Sequence, residues 1–299
     1  MMNRLKPNAK TISLILGSGG ARGLAHIGVI QVLEERGYQI RSISGSSMGA
    51  LIGGIYAAGK LDTYREWVCA LDRLDVLRLL DFSFSGSAIF KGERIINTLK
   101  ELIGDREIED LPISFTAVAT DLEECRELWL SSGPLFDAIR ASIAFPTVFS
   151  PFVYHGKKLV DGGLLNPIPI APTLHDMTDM SIAVSLSGKA KALSAPLPPC
   201  AQEKEPVKRQ KYQQKVLDFI DGLQRWNHKK ESTDEAGFFD IISTSLDAMQ
   251  ATIAAFKLAS YTPDVLIEIP KNVSTFYAFE RAEELIEIGR CYTQQILDE

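Results

Sequence analysis

The chain has 299 residues, of which 45% are hydrophobic and 23% charged, and these proportions are ordinary for a globular protein. A mean hydropathy of +0.02 leaves no surplus of apolar residues for several membrane-spanning helices. The net charge of −6 argues against general nucleic-acid binding, which needs a basic face to neutralise phosphates. The length allows one large α/β domain or two of ordinary size.

The first apolar run of the chain, Ile12 to Leu16, follows basic residues, as it would in a secretion signal. The run is shorter than the apolar region of such a signal and leads into a glycine loop instead of a cleavage site. We therefore interpret it as a buried strand. The four cysteines lie far apart and form no Cys-x-x-Cys pair, so we expect reduced thiols in a cytoplasmic protein.

From Thr11 to about Gly59 the pattern predicts strand, glycine loop, helix, strand, tight turn and helix, which is how parallel α/β sheets are built. The first helix carries an apolar stripe that we expect to face the sheet. Its members recur at helical spacing: Ala25, Gly28, Val29, Val32 and Leu33. The second helix, Ala50 to Ala58, is small and apolar on nearly every side, which predicts burial.

The pattern beyond Gly59 predicts mostly helix from Leu61 to Gly104, interrupted by a loop at Phe82 to Ser87. Strands are predicted at Gln39–Ser44, Ile113–Thr120, Glu127–Leu130, Lys158–Val160, Ser181–Leu186 and Val265–Ile269. Further helices are predicted at Leu135–Ser142, Ile241–Leu258 and Ala278–Leu297.

The composition changes abruptly after residue 188. A stretch with three prolines, from Lys189 to Pro206, is typical of an exposed, mobile loop. The helical segment that follows, to Glu231, is basic and carries one apolar stripe. We interpret Lys204 to Lys230, together with the Phe82 to Ser87 loop, as candidate lid or membrane-docking elements. The alternative is a solvated helix that packs on its own domain.

Ser47 lies in the pattern Gly45-x-Ser47-x-Gly49, which matches the nucleophile elbow, a strained turn that lifts a serine above a sheet. The flanking glycines allow the backbone to approach closely. An apolar strand is predicted just before this pattern and a small-residue helix just after it, as the elbow requires. The alternative is a tight turn that happens to be rich in small residues.

A second glycine-rich loop, Gly17 to Gly23, also lies between a predicted strand and helix, where backbone N–H groups favour negative charge. A dinucleotide fingerprint fails because Arg22 occupies its third glycine position, and no Gly-Lys-Ser/Thr follows for a nucleotide loop. An oxyanion hole fits better, with Gly19 and Gly20 as donors. Arg22 would steady the loop, attract an anionic head group, or form an ion pair elsewhere.

A serine nucleophile needs a base, and histidine is the usual choice. In the order Ser, Asp, His, only His175 and His228 follow the candidate acid Asp161, and neither stands at an obvious strand end. His26 falls within the first helix, and His155 falls in a polar turn. A triad that uses His175 or His228 remains an alternative.

Asp161 ends a short predicted strand and precedes Gly162-Gly163, a turn that would hold its carboxylate at the end of the strand. An ordinary Asp-Gly turn is the alternative. A carboxylate with its reference pKa near 3.9 is a weak base, but partial burial in an apolar cleft raises the pKa and makes it a better proton acceptor. A Ser47–Asp161 pair is therefore chemically sufficient.

Three blocks together resemble the patatin-like phospholipase family, namely Gly17–Gly23, Gly45–Gly49 and Asp161–Gly163. A fourth, Ala141–Pro151, is similar to the family segment Ala-Ser-x-x-x-Pro-x-x-Phe-x-Pro. The resemblance covers about Ile12 to Leu186, and the closing helices resemble those of bacterial members only generally. It implies a three-layer α/β/α sandwich around a mainly parallel central sheet, and hydrolysis of fatty-acyl esters in lipids.

For individual residues, the resemblance implies that Ser47 attacks and Asp161 acts as base, and that the oxyanion region comprises Gly19, Gly20, Ala21 and Arg22. One departure is visible, because the family loop often begins Asp-Gly-Gly-Gly where this chain has Gly17-Ser18-Gly19-Gly20. Serine tolerates fewer backbone conformations than glycine, so the donor role falls first on Gly19 and Gly20.

The resulting expectation is a single patatin-like domain over residues 1–299, with a family core at about 11–188, the loop and basic segment at 189–235, and closing helices at 236–299. The expected partner is a lipid or acyl-ester substrate, with peripheral contact to the inner face of the membrane and no nucleic acid. No oxygen-rich loop suits calcium, so we expect neither metal nor cofactor. A catalytically silent lipid-binding regulatory protein is the alternative from another class.

Overall fold

A computed structural model describes residues 10–79, 88–190 and 233–298. The Phe82 to Ser87 loop and the Lys204 to Lys230 segment lie outside these ranges, so the lid and docking roles suggested for them stay predictions. Within the described ranges, no helix combines the length and the apolar composition needed to cross a bilayer.

The strands are β1 (Thr11–Leu16), β2 (Gln39–Ser46), β3 (Ala88–Phe90), β4 (Ser114–Asp121), β5 (Arg126–Leu130), β6 (Thr147–Phe149), β7 (Phe152–Tyr154), β8 (Lys157–Asp161), β9 (Met180–Gly188) and β10 (Val265–Pro270). The helices are α1 (Ala25–Glu35), α2 (Met48–Ala57), α3 (Leu61–Ala70), α4 (Arg73–Arg78), α5 (Glu93–Ile103), α6 (Leu135–Ser142), α7 (Thr233–Ser260) and α8 (Ala282–Asp298).

The strands predicted from sequence agree with these bounds to within two residues, as does the helix at Leu135–Ser142. Helix α7 begins eight residues before its predicted start. The last helix begins four residues late, after a short 3-10 turn at Phe279–Arg281. The sequence did not predict β3, β6 or β7, because three residues are too few to show an apolar periodicity.

The main sheet has the order β10-β9-β1-β2-β4-β8-β7, and β5 pairs with β4 as well. The strands from β10 to β4 run parallel, whereas β5, β8 and β7 pair antiparallel. Helices cover both sides of this mixed, mostly parallel sheet, so the predicted α/β fold class is confirmed. A small second sheet pairs β3 with β6.

The core is centred on β1, which lies between β9 and β2. A strand inside a parallel sheet with both faces covered is expected to be apolar on both sides. Accordingly Ile12, Leu14, Ile15 and Leu16 are all fully buried. The apolar run near the N-terminus is therefore a central strand, as the sequence predicted.

Helix α1 packs against α8 at backbone contact distance. A Cβ added at Gly28 would lie 1.9 Å from the carbonyl oxygen of Ile286, and one at Gly289 would lie 2.0 Å from the carbonyl oxygen of Ala25. Only glycine permits so close an approach. The apolar stripe of α1 was expected to face the sheet, but at Ala25 and Gly28 it faces a second helix. Local periodicity shows that a face is buried without showing what covers it.

The ends of β2 and β8 meet along one edge of β4. Strand β2 pairs with Ser114–Val118, and β8 pairs with Ala119–Asp121. Strand β5 pairs with Ala117–Asp121, and therefore occupies the opposite edge. Strand β2 runs parallel to β4, and β8 runs antiparallel to it. The carboxyl ends of β2 and β8 therefore point at each other. Ser47, which follows β2, and Asp161, which ends β8, are thereby brought together.

Candidate active site

Ser47 lies in the turn between β2 and α2 with φ 56° and ψ −123°, a backbone conformation that non-glycine residues rarely adopt. Such strain is typical of functional turns. The glycines on either side are required by space, since a Cβ at Gly45 would lie 2.4 Å from the carbonyl oxygen of Gly49 and one at Gly49 would lie 2.0 Å from that of Leu16. The turn thus has the backbone geometry of a nucleophile elbow.

The carboxylate of Asp161 is fully buried and accepts a hydrogen bond from Ser47. The Ser47 hydroxyl donates to Asp161 Oδ2 at 2.5 Å, and the backbone N–H of Gly163 donates to Oδ1 at 2.7 Å. Thr120 Oγ1 donates to the backbone carbonyl of Asp161 at 3.0 Å. Both carboxylate oxygens therefore have a defined donor, and neither donor is a histidine.

Burial raises the pKa of Asp161 to about 7, although the hydrogen bonds from Ser47 and Gly163 act in the opposite direction. Removal from water penalises the ionised carboxylate more than these two donors stabilise it. A carboxylate with this pKa can accept a proton from a hydroxyl at neutral pH far better than an exposed aspartate can.

The histidines considered as alternative bases do not reach this pair in the described ranges. His175 is exposed and precedes Asp176 to Asp179, a segment that binds the start of β1 through hydrogen bonds between Thr11 and Asp179. The Ser47 turn lies near the other end of β1, where Leu16 leads into the glycine loop. His228 lies outside the described residues.

His26, which the sequence placed in α1 without a role, supports the glycine loop. Its Nε2 donates to the carbonyl oxygen of Gly17 at 2.8 Å, and the side chain is fully buried. Burial lowers the pKa of His26 to about 4, against the hydrogen bond to Gly17, so the ring is neutral at pH 7. The sequence could not predict this contact, because the position of His26 in a helix does not show which loop its side chain touches.

The glycine loop presents two unengaged backbone donors. Gly17, Ser18 and Ala21 donate their N–H groups to the carbonyl oxygens of Val184, Pro167 and Phe276, at 2.8 to 3.0 Å. Within residues 10–79, 88–190 and 233–298, the N–H groups of Gly19 and Gly20 donate no such hydrogen bond. The Ala21 N–H, which the family resemblance placed in the oxyanion region, is thus already used.

The departure from the family pattern at Ser18 brings no backbone strain. Of the described residues other than glycine, Ser47, Cys125 and His155 have positive φ, and Ser18 does not. Gly20 does adopt φ 56°, and a Cβ there would lie 2.6 Å from the ring and the carbonyl of Phe276. Glycine is therefore needed at position 20 but not at position 18.

Arg22 is almost fully buried and holds the glycine loop. Its Nε donates to the carbonyl oxygen of Gly19 at 3.1 Å, and its Nη1 donates to that of Leu186 at 3.3 Å. Its Nη2 donates to both carboxylate oxygens of Asp247 on α7, each at 3.1 Å. Arg22 therefore both binds the glycine loop and forms an ion pair, which were two of the three roles considered from the sequence.

A family model described as patatin-like phospholipase matches residues 14–174, which is more than half of the chain. The match defines a lipid ester hydrolase, and the fold has the α/β architecture expected of it. The chain belongs to the patatin-like phospholipase family.

Related proteins extend this similarity beyond the matched region. An uncharacterised NTE family protein of Mycobacterium tuberculosis is 36% identical over 96% of this chain and 91% of its own length. Lysophospholipases of Kluyveromyces lactis and Debaryomyces hansenii are 27% and 25% identical over 97% and 96% of this chain. These alignments cover 19% and 18% of those longer proteins. A solved structure, VipD from Legionella pneumophila, superposes with a TM-score of 0.48 at 16% identity, over 98% of this chain and 67% of that one.

The Arg22–Asp247 pair predicts a measurable stability difference. Asp247→Asn should lower the free energy of unfolding by about 1–3 kcal/mol, because it leaves a buried guanidinium without a counter-charge. The matched control is Asp298→Asn, which breaks the exposed pair with Arg36 and should change stability by less than about 0.5 kcal/mol. Urea denaturation measures both, and equal stabilities would contradict a structural role for Asp247.

Proposed function

We propose that the protein hydrolyses fatty-acyl esters of phospholipids or related lipids, with Ser47 as nucleophile and Asp161 as base. The observation that supports this most is the 2.5 Å hydrogen bond from the Ser47 hydroxyl to the buried Asp161 carboxylate. A nucleophile within hydrogen-bond reach of a base that is itself held in place is the signature of an activated serine. Here Gly163 holds the base.

The reaction proceeds in two stages. Asp161 takes the proton from Ser47 as the serine oxygen bonds to the acyl carbon, and the resulting tetrahedral oxyanion collapses to an acyl-serine ester. The proton on Asp161 passes to the departing alcohol or lysolipid. Water then attacks the acyl-serine and gives its proton to Asp161. Collapse of this second intermediate frees the fatty acid and returns the proton to Ser47.

The oxyanion needs donors that are in place before the reaction starts. The unengaged N–H groups of Gly19 and Gly20 suit this role, and in comparable sites each such donor contributes roughly 10²- to 10³-fold in rate. The N-terminus of α2, which begins directly after Ser47, adds a favourable partial positive charge. Arg22 and His26 contribute by fixing the carbonyls of Gly19 and Gly17.

A lipid substrate is supported by the partly exposed aromatic ring of Phe276 beside the glycine loop. The rings of Phe145 and Phe276 pack with their centroids 4.7 Å apart, and Phe276 lies directly against Gly20. Phe145 is buried and backs this ring, so that the exposed part of Phe276 offers an apolar contact for an acyl chain. The relatives named as lysophospholipases point to the same class of substrate.

Peripheral membrane contact is supported by the outer face of α7. Ile241, Met249 and Phe256 are between half and three-quarters exposed on this helix. From Ile241 to Ser260 the charged residues of α7 are Asp247, which pairs with Arg22, and Lys257, which pairs with Glu127. Over residues 241–260, a helix face with exposed apolar side chains and paired charges suits a lipid surface. We place the enzyme in the cytoplasm, in keeping with the free thiols of Cys69, Cys125 and Cys291.

A single domain is supported by the pairing of β10 with β9. Strand β10 belongs to the closing segment and β9 ends the family core, so both segments contribute to one sheet and one hydrophobic core. A closing segment of this kind would not fold as a separate unit.

Ser47→Ala should abolish hydrolysis of a short p-nitrophenyl acyl ester and labelling by a fluorophosphonate probe, because no oxygen nucleophile remains. Thermal unfolding should stay close to that of the wild type, since alanine is nearly isosteric with serine. Labelling of the wild type at Ser47, mapped by mass spectrometry, is the positive result. An unlabelled wild type would favour the silent lipid-binding protein, and loss of turnover in His175→Ala or His228→Ala would favour the triad.

The raised pKa of Asp161 predicts how the rate depends on pH. Because the base works only when ionised, kcat/KM should fall about tenfold per pH unit below about pH 7 and level off above it. Initial rates with the p-nitrophenyl ester measure this profile, and the Ser47→Ala protein at each pH corrects for spontaneous hydrolysis. A midpoint near 4, where an unperturbed aspartate titrates, would contradict a buried carboxylate base.

The outer face of α7 predicts a separation of lipid binding from chemistry. The double variant Met249→Ser, Phe256→Ser should reduce co-sedimentation with phosphatidylcholine vesicles, because it removes the two apolar side chains from the contact. Hydrolysis of the short p-nitrophenyl ester should be unchanged. The control is Met177→Ser, which alters a fully exposed methionine elsewhere. Equal vesicle binding by both variants and the wild type would remove α7 from the interface.

A further inference from the structure

The last residue of α6 and the turn that follows it contact the backbone of both members of the proposed catalytic pair. The Ser142 hydroxyl accepts the backbone N–H of Ser47 at 2.9 Å and donates to the carbonyl oxygen of Val118 at 2.6 Å. Two residues later, the carbonyl oxygen of Ala144 accepts the backbone N–H of Asp161 at 3.0 Å. A three-residue stretch thus binds the nucleophile at one end and the base at the other.

These contacts supply a constraint that the sheet does not. The ladder with β4 places the ends of β2 and β8 side by side, with Ser46 opposite Val118 and Asp161 opposite Ala119. Ser47 lies one residue beyond the last paired residue of β2, so the ladder does not fix the orientation of its backbone. The Ser47 backbone is also strained, and a strained conformation persists only where its surroundings over-determine it.

Ser142 is suited to hold this geometry because it is fully buried and uses its hydroxyl both as donor and as acceptor. As an acceptor, the Ser142 hydroxyl fixes the backbone N–H of Ser47, whose side chain must point at Asp161. As a donor, it binds Val118 on β4. Val118 is next to Ala119, which pairs with Asp161 in the ladder. Each of these hydrogen bonds is shielded from water, so losing either would leave a buried group unsatisfied.

We infer that Ser142 is a positioning residue for the reaction, and that with the Ala144 carbonyl it sets the separation between the Ser47 hydroxyl and Asp161. It does not touch the reacting atoms. Its effect is exerted through the backbone of Ser47, which aims the serine oxygen at its base. This inference rests on the proposed function of the pair.

Ser142→Ala tests the inference. Without the hydrogen bond to its N–H, the Ser47 turn should relax and displace the serine oxygen from Asp161. A small displacement of reacting atoms lowers the rate of the chemical step by about 10- to 100-fold. The loss should fall on kcat with KM for the p-nitrophenyl ester nearly unchanged, because the substrate contacts remain. Fluorophosphonate labelling of Ser47 should slow in proportion.

Ser44→Ala is the matched control. Ser44 is as deeply buried as Ser142, and its hydroxyl donates to the carbonyl oxygen of Pro169 and not to a residue of the pair. The same chemical change at the same depth also removes a buried hydrogen bond, so it should lower stability but leave kcat within about twofold. Equal kcat values for the two variants would overturn the role of Ser142.

Ser142→Cys covers the case in which the alanine variant does not fold. A thiol keeps the shape of the side chain but is a weaker donor and acceptor, so kcat should lie between those of the wild type and of a variant without the hydrogen bonds. A folded Ser142→Cys protein with wild-type kcat would contradict the inference. Activity in Ser47→Ala would instead overturn the proposed function itself, so the two failures are distinguishable.

Discussion

The carbonyl group of Val118 on β4 is the point about which the site is arranged. A Cβ at Gly162 would lie 2.0 Å from its oxygen, and the Ser142 hydroxyl donates to the same oxygen. Val118 is also where the pairing partner of β4 changes from β2 to β8. Only a glycine at position 162 allows the chain after β8 to pass so close to β4. The proximity of Ser47 and Asp161 depends on this crowded junction.

Full burial of this junction has an electrostatic consequence. A carboxylate that is withdrawn from water and has two donors titrates near neutrality, so that the environment that disfavours its charge is the same one that suits it to accept a proton. The strained backbone of Ser47 is a second unfavourable feature at the same place. Functional sites commonly retain such features, which the packing of the surrounding fold offsets.

The glycine loop is held from segments that are remote in sequence. His26 on α1 binds Gly17, Arg22 joins the loop to Leu186 and to Asp247 on α7, and the Phe276 carbonyl binds Ala21. These contacts leave the N–H groups of Gly19 and Gly20 in a fixed position. Donors that are fixed beforehand need no reorganisation when charge develops, so this arrangement suits the oxyanion role proposed for the two N–H groups.

The sequence by itself determined the parallel core and the positions of the two glycine turns, because apolar runs and glycine spacing are local signals. It also singled out Ser47 and Asp161, each from its place after a predicted strand. Only the tertiary structure decided that β8 runs antiparallel and meets β2 end to end, that α1 packs on α8, and that Arg22 pairs with Asp247. Those facts depend on contacts between residues far apart in the chain, which leave no periodicity for a single sequence to reveal.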